Sequence, residues 1–422
     1  MKPKLILCLA LVLSGGLSSN ARANETSPDI QAIVADNTEF AVDLYGHLRT
    51  NAGNLCFSPY SISTALAMTY GGARGETAEQ MARTLHFIQP PDQLHPAFAA
   101  LEADFDATQK KGEIQLAEAN SLWPQKDFPF LPNYLALCQK YYGTSITPVD
   151  YRMDAEAARK TINDWVEAKT DQKIVELLKP GMLDDGTRLA LVNAIYFKGK
   201  WARQFDSKLT QEQPFHLTPE KQVAAPLMRQ TDDFKYAEFP DLESTNMRAM
   251  LSSVSHLQVL ELPYAGDDLS MIVLLPREAD GLDHIEKELT AQNLASWTTN
   301  LRSQKVEVLL PKFKITSEFS LKQTLAALGM PDAFNPFLAD FSGMDGRKDL
   351  FISKVVHQAF VDVNEEGTEA AAATAVLMEF GGRPAHPPPV PVFRADHPFL
   401  FLIRDNRDGS ILFLGRVTDP TK

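Results

Sequence analysis

Cysteine is scarce in this chain of 422 residues, which excludes the class of small secreted domains held together by several disulfides. Of the 3 cysteines, Cys8 falls in an apolar N-terminal run, and Cys56 and Cys138 lie among apolar residues. Their spacing matches no zinc-binding pattern either. We therefore expect Cys56 and Cys138 to be buried free thiols, and we expect no metal site.

Basic clusters are missing as well. The formal net charge is −13, and the densest basic run is KFK at residues 312–314, inside an apolar segment. An acidic chain without a basic face binds poorly to nucleic acid or to anionic membranes, whose phosphates attract lysine and arginine. The sequence therefore predicts neither of them as a partner.

Only one long apolar run occurs, and it lies at the N-terminus. Lys2 and Lys4 flank the start of this run, LILCLALVLSGGL, and Ala21-Arg22-Ala23 matches the small-x-small pattern of signal-peptide cleavage sites. The run is too short for a comfortable membrane span. We predict a signal peptide over residues 1–23, a mature chain that starts at Asn24, and a secreted or periplasmic protein.

Motifs of hydrolases and of nucleotide-binding enzymes are absent from the sequence. The chain has no G-x-S-x-G, no H-E-x-x-H and no glycine-rich loop that ends in Lys-Ser/Thr, and His284 has no partner histidine four residues on. Ser58, Asn193 and His357 are residue types of a hydrolytic set, but no sequence pattern unites them. We expect no enzymatic activity and no cofactor.

The order of local patterns indicates an α+β fold. In the first part of the chain, apolar residues recur at three- and four-residue spacing, as in FAVDLYGHLRT and TINDWVEAKTDQKIVELL, which is typical of amphipathic helices. Beyond residue 186 the chain carries β-rich runs bounded by Pro, Gly and Asp, among them LSMIVLLP and SILFLGRV. Helices followed by many strands predict large, mainly antiparallel sheets, in a single domain over residues 24–422.

The segment EEGTEAAAATAVLMEFGG at residues 365–382 is compatible with two conformations. Its alanines favour a helix or an exposed loop. Read with period two, however, one face of a strand carries small and uncharged side chains, which enter a sheet without overpacking or burying a charge. That face comprises Thr368, Ala370, Ala372, Thr374, Val376 and Met378. The first proline after Glu365 is Pro384, so the backbone of the whole segment can hydrogen-bond to neighbouring strands.

Seven blocks of the chain resemble the serpins, a family of serine protease inhibitors, and fall in the family's order across about residues 30–420. They are NLCFSPYSISTALAMTYGGARGET, NAIYFKGKWARQFD, LPYAGDDLSMIVLLP, LPKFKI, VVHQAFVDVNEEGT, EEGTEAAAATA and HPFLFLIRDNRDGSILFLGRV. The resemblance implies the serpin fold, with about nine helices, three β-sheets, one of them large and central, and an exposed reactive-centre loop over about residues 365–392.

The same resemblance implies a function. A serine or cysteine endopeptidase attacks the loop and forms an acyl-enzyme, and insertion of the cleaved loop into the large central sheet traps the protease irreversibly. The alternative is a non-inhibitory carrier or chaperone with the same fold, but the small residues after Gly367 favour insertion and hence inhibition. The protein is expected to be a monomer and to need no activating polyanion.

Individual positions receive roles from the resemblance. The hinge, where the loop starts to insert, corresponds to Glu365, Glu366, Gly367, Thr368, Glu369, Ala370, Ala371, Ala372 and Ala373. The shutter, a polar cluster beneath the central sheet, corresponds to Ser58, Ser61, Asn193 and His357. The breach, where insertion begins at the top of that sheet, corresponds to Trp201, Lys312 and Glu365.

The scissile bond is left with three candidates. Counting from Gly367 in the family's manner places it at Gly381-Gly382, although glycine gives a protease's primary pocket nothing to fill. Phe380-Gly381 ranks first because phenylalanine fills a deep apolar pocket. Arg383 ranks third, since the proline that follows it makes a poor leaving side. The target is expected to be chymotrypsin-like, elastase-like or subtilisin-like.

Overall fold

Helices occupy much of the chain before residue 170 and recur as short pieces later. The computed structural model describes residues 27–144, 146–240, 255–368 and 389–422, and these parts contain ten α-helices and two 3-10 helices. The early helices are α1 (Pro28–Leu48), α2 (Pro59–Tyr70), α3 (Gly75–Thr84), α4 (Pro91–Gln109), α5 (Pro132–Tyr142) and α6 (Tyr151–Lys169). The later ones are α7 (Leu282–Glu288), α8 (Ala291–Thr299), α9 (Lys322–Leu328) and α10 (Ser342–Asp345).

Twelve of the fourteen described strands come after residue 186, as the sequence predicts, and two lie among the early helices. The first seven are β1 (Leu55–Phe57), β2 (Ile114–Pro124), β3 (Leu189–Lys200), β4 (Gln211–Thr218), β5 (Lys221–Pro240), β6 (Ser255–Pro263) and β7 (Leu269–Pro276). The others are β8 (Arg302–Pro311), β9 (Phe313–Ser320), β10 (Lys354–Asn364), β11 (Gly367–Thr368), β12 (Val392–Arg394), β13 (Phe399–Asp405) and β14 (Ile411–Val417). The predicted α+β class is confirmed.

Two hydrogen-bonded sheets contain these strands, where three sheets were expected. One has nine strands in the order β1-β14-β13-β7-β6-β5-β8-β12, with β4 beside β5. The other, called the central sheet below, has the order β2-β3-β11-β10-β9. The expected second and third sheets are continuous because the 20-residue strand β5 pairs with β4, β8 and β6 along its length.

Helix α2 lies between the two sheets and fixes the position of the residues at its start. Pro59 is at the first helical turn, where its missing N–H costs nothing, and Ser58 Oγ caps the helix by accepting from Ser61 N at 3.2 Å. Every residue from Pro59 to Thr69 is buried, and the helix contacts β2, β3 and β14. A helix covered on all sides is a rigid support for its N-terminal serines.

The two middle strands of the central sheet run parallel to each other. Residues 190–196 of β3 pair with residues 354–360 of β10, and this is the one parallel pairing among the described strands of that sheet. Both strands are buried almost throughout, with α2 on one face and the α6 side on the other. Such two-sided burial explains why apolar residues predominate on both strands.

The two cysteines of the described chain, Cys56 and Cys138, are buried and free, as expected. Burial raises the pKa of the Cys138 thiol to about 11, which keeps it protonated at neutral pH. Among the described residues, no helix is both long enough and apolar enough to cross a membrane.

Candidate functional site

A row of polar side chains crosses the central sheet where β3 and β10 pair. Asn120 on β2 is opposite Asn193 on β3, and Asn193 is opposite His357 on β10. The row ends at Phe319 on β9, whose ring lies nearly parallel to that of His357 at 6.3 Å between centroids. Polar groups therefore occupy adjacent positions on three strands of the central sheet.

Hydrogen bonds join this row to the start of α2. The backbone N–H of Ser58 donates to His357 Nε2 at 3.0 Å, so the neutral imidazole carries its proton on Nδ1 and donates it to Asn193 Oδ1. Asn193 Nδ2 in turn donates to Ser61 Oγ at 2.6 Å. The four predicted shutter residues thus lie together in one connected network, and each of them is at most 1% exposed.

Burial decides the charge of His357. Desolvation lowers the pKa of its imidazole to about 3, because no solvent reaches the ring to stabilise a positive charge. The side chain is therefore neutral at physiological pH, and its Nε2 can accept a hydrogen bond. Neutral donors and acceptors can exchange partners when two strands separate, whereas a buried ion would be left unpaired.

We expect His357→Gln to flatten the pH dependence of unfolding. Above about pH 6.5 the ring is neutral in both states, whereas between that pH and about 3 the unfolded chain binds a proton that the folded chain does not. The contribution of this residue to the free energy of unfolding is thus fully present above about pH 6.5. As the pH decreases from there, the contribution is lost at up to about 1.4 kcal/mol per pH unit. Urea-unfolding midpoints measured across this range test the expectation, with exposed His47→Gln as the control. Equal slopes in the wild type and in His357→Gln would contradict it.

At the top of the central sheet, the first hinge residues already lie between β3 and β10. Gly367 pairs with Lys200 on one side and with Asn364 on the other, and Thr368 follows in the same register. Gly367 has a φ of +150°, and a Cβ atom there would lie 2.1 Å from the carbonyl oxygen of Gly199. Only glycine fits this close backbone approach, so the turn into the sheet depends on it.

Thr368 is completely buried, and its side chain faces the interior of the protein. Its Oγ1 lies 2.9 Å from the hydroxyl of Tyr264, which stacks on the ring of Trp201 at 4.7 Å between centroids. The Trp201 indole N–H donates to the carbonyl of Asn364 at 2.9 Å. The aromatic pair therefore forms the floor beneath the point at which the hinge enters.

The charge pair of the breach lies directly beside this entry point. Lys312 Nζ is 2.9 Å from Glu365 Oε2, and Thr210 Oγ1 donates to Glu365 Oε1 at 2.9 Å. Partial burial works against ionisation of Glu365, but the bonds from Lys312 and Thr210 outweigh it and lower the pKa of the carboxyl. Because the lysine is 38% exposed, this pair positions the loop stem more than it stabilises the fold.

Three residues that sequence reasoning missed belong to these clusters: Asn120, Thr210 and Tyr264. Asn120 Oδ1 accepts hydrogen bonds from Ser61 Oγ and Asn193 Nδ2. Read with period two, IQLAEANSLWP places this asparagine on the same face as Leu116 and Leu122, which was a detectable signal. Thr210 and Tyr264 carried no comparable signal. The predicted hinge residues Glu369 and Ala370–Ala373 and the reactive-bond candidates Phe380–Arg383 lie outside the described residues.

Known proteins share this architecture along nearly the whole chain. A family model described as Serpin (serine protease inhibitor) matches residues 35–420. Human leukocyte elastase inhibitor is 45% identical over 400 residues, which cover 93% of this chain and 100% of the relative. Among solved structures, Serpin48 of the insect Tenebrio molitor aligns with a TM-score of 0.79 at 32% identity, covering 92% of this chain and 98% of that one. Human thyroxine-binding globulin aligns with a TM-score of 0.81 at 29% identity, covering 93% and 100%. Given the central sheet that its hinge already enters and a similarity that spans the domain, the chain belongs to the serpin family.

Proposed function

We propose that this serpin inhibits an elastase-like or chymotrypsin-like serine endopeptidase as an irreversible suicide substrate. The protease cleaves the reactive-centre loop, and the new N-terminal portion of the loop inserts between β3 and β10 before the acyl-enzyme is hydrolysed. The observation that carries the proposal is the position of Gly367 and Thr368, which already pair with both of these strands.

The pairing pattern supplies a direction and a driving force for insertion. β11 is antiparallel to both β3 and β10, and below it these two strands pair parallel to each other over seven residue pairs. Each further loop residue that follows Thr368 into the sheet exchanges one parallel pairing for two antiparallel ones. Because antiparallel pairs are slightly more stable per residue and twice as many form, insertion is downhill once the loop is cut.

The same register supports a role for the shutter. Counting six residues on from Thr368 brings Thr374 opposite Asn193 on β3 and His357 on β10, the two residues whose mutual hydrogen bond insertion must break. Thr374 lies outside the described residues, but its hydroxyl can both donate and accept. Its arrival would give both separated side chains a new partner.

The target class is proposed from the relatives and the loop sequence together. A relative named leukocyte elastase inhibitor is 45% identical to this chain. Phe380, Gly381 and Gly382 supply one large and two minimal side chains at the candidate bonds, which suit a deep apolar pocket and a shallow one respectively. A subtilisin-like enzyme accepts similar residues and is the second candidate class.

We also propose that the protein acts outside the cytoplasm. The support is the N-terminal pattern of Lys2 and Lys4, the apolar run and Ala21-Arg22-Ala23. N-terminal sequencing of the protein recovered outside the expressing cell is expected to begin at Asn24. Recovery of the intact chain in the cytoplasm would refute export.

A panel of proteases tests the inhibitory function and locates the bond. We expect elastase or chymotrypsin, incubated with the purified protein, to form a covalent complex that survives denaturing gel electrophoresis. Mass spectrometry of the released C-terminal peptide is expected to identify a peptide that starts at Gly381 or Gly382. Clean cleavage of the loop, with full protease activity remaining, would refute inhibition and support the carrier alternative.

A further inference from the structure

Two histidines and a glutamate converge at the start of β6, away from the central sheet. His256 lies on β6, and His284 and Glu288 lie one turn apart on α7. His256 Nε2 is 2.8 Å from Glu288 Oε2, and His284 Nε2 is 3.4 Å from Glu288 Oε1. One ligand atom from each of the three side chains lies within 4.8 Å of the other two.

The carboxylate of this cluster is buried and incompletely satisfied. The Glu288 side chain is 8% exposed, and both of its oxygens face histidine nitrogens. Among the described residues Oε1 accepts no hydrogen bond, and His284 Nε2 lies 3.4 Å from it. A bound cation would give this unpartnered carboxylate oxygen a partner, and histidine is the commonest ligand of divalent metals in proteins.

We propose that His256, His284 and Glu288 form a zinc-binding site. Two imidazole nitrogens and one carboxylate oxygen are a ligand set that Zn²⁺ takes readily, and ligand atoms around tetrahedral zinc are separated by about 3.4 Å. The two histidine–carboxylate distances are 2.8 and 3.4 Å, and all three ligand atoms lie within 4.8 Å of one another, so small side-chain adjustments would bring them around one ion. His284 is 40% exposed, which gives the ion access and leaves the fourth position to water.

The topology explains why the sequence did not indicate this site. His284 and Glu288 share one face of α7 through their four-residue spacing, but the third ligand comes from a strand that precedes β7 and α7 in the chain. No short motif therefore spans the set. Bound zinc would link α7 to the start of β6. It would stabilise the native state by mass action, since the three ligands are not held together in the unfolded chain.

Metal titration of the full mature protein, first stripped with a chelator, tests the site directly. We expect calorimetry with ZnCl₂ alone to give one ion per chain and a higher melting temperature with zinc than with chelator. Co²⁺ alone is expected to give the intense visible absorption of tetrahedral coordination, which zinc then displaces. Absence of stoichiometric zinc binding and of the cobalt spectrum in the wild-type protein would overturn the proposal whatever the variants do.

Matched variants separate a metal site from a simple histidine–carboxylate pair. His256→Gln and His284→Gln are each expected to weaken zinc binding by more than about 100-fold. The control is His86→Asn, which removes a histidine that also lies 2.8 Å from a carboxylate oxygen, of Asp43, but belongs to no group of three metal-ligand side chains among the described residues. Zinc affinity should be unchanged in this control. Equal affinity in all three variants and the wild type would place the ion elsewhere and refute the assignment.

Discussion

Thr368→Arg is expected to turn the inhibitor into an ordinary substrate. Thr368 is fully buried against Tyr264 and is the first inward-facing residue of the inserted strand, so an arginine there would bring an unpaired charge into the sheet. A penalty of at least about 3 kcal/mol shifts the competition between trapping and hydrolysis about 100-fold towards hydrolysis. The moles of inhibitor needed to silence one mole of elastase or chymotrypsin should rise accordingly, and the covalent band should vanish from denaturing gels.

The matched control for this variant is Thr368→Val. Valine keeps the volume and the neutrality of threonine and loses only the hydrogen bond to the Tyr264 hydroxyl, a net loss of about 1 kcal/mol. In the Thr368→Val variant, β11 should pair less stably with β3 and β10, but the protein should still trap the protease. Both variants must retain the circular dichroism of the wild type, which is expected because β3 and β10 pair directly below β11. An unchanged complex yield with Thr368→Arg would mean that insertion between these strands is not the trapping step.

Local residue types predicted the strand character of the hinge but not how far it enters the sheet. Period-two alternation indicated that Thr368 would face inward, and the structure places its side chain in the core. Entry itself depends on the register of Gly367 against Lys200 and on the space beside Gly199, and neither can be predicted from the hinge sequence. Such contacts join residues that are far apart in the chain.

For the shutter, too, the sequence indicated the residues but not all of their hydrogen-bond partners. The resemblance to the serpins identified Ser58, Ser61, Asn193 and His357 as one polar cluster. It did not identify Asn120, whose role follows from its place opposite Asn193 across β2 and β3. Likewise, the continuity of two predicted sheets through β5 reflects the length and pairing of one strand, which local propensity does not determine.

Cleavage of the reactive-centre loop is expected to raise the melting temperature strongly. Once cut, residues beyond Thr368 can extend β11 and replace the parallel pairing of β3 with β10 by two antiparallel ladders. A central strand of about ten residues adds roughly ten hydrogen bonds, at about 1 kcal/mol each. In a chain of about 400 residues, a gain of about 10 kcal/mol corresponds to a rise of roughly 10 °C, which calorimetry of the native and cleaved proteins measures.

The Thr368→Arg variant is the control that tests whether the rise in melting temperature comes from insertion of the cleaved loop. After the same cleavage, the arginine variant should melt close to its own uncleaved form, because its strand stalls at the first inward-facing position. A gain shared equally by the variant and the wild type would show that cleavage stabilises the protein by another route. If neither protein gains, then β3 and β10 do not separate after cleavage, and the parallel pairing of residues 190–196 with 354–360 is the final state of the sheet.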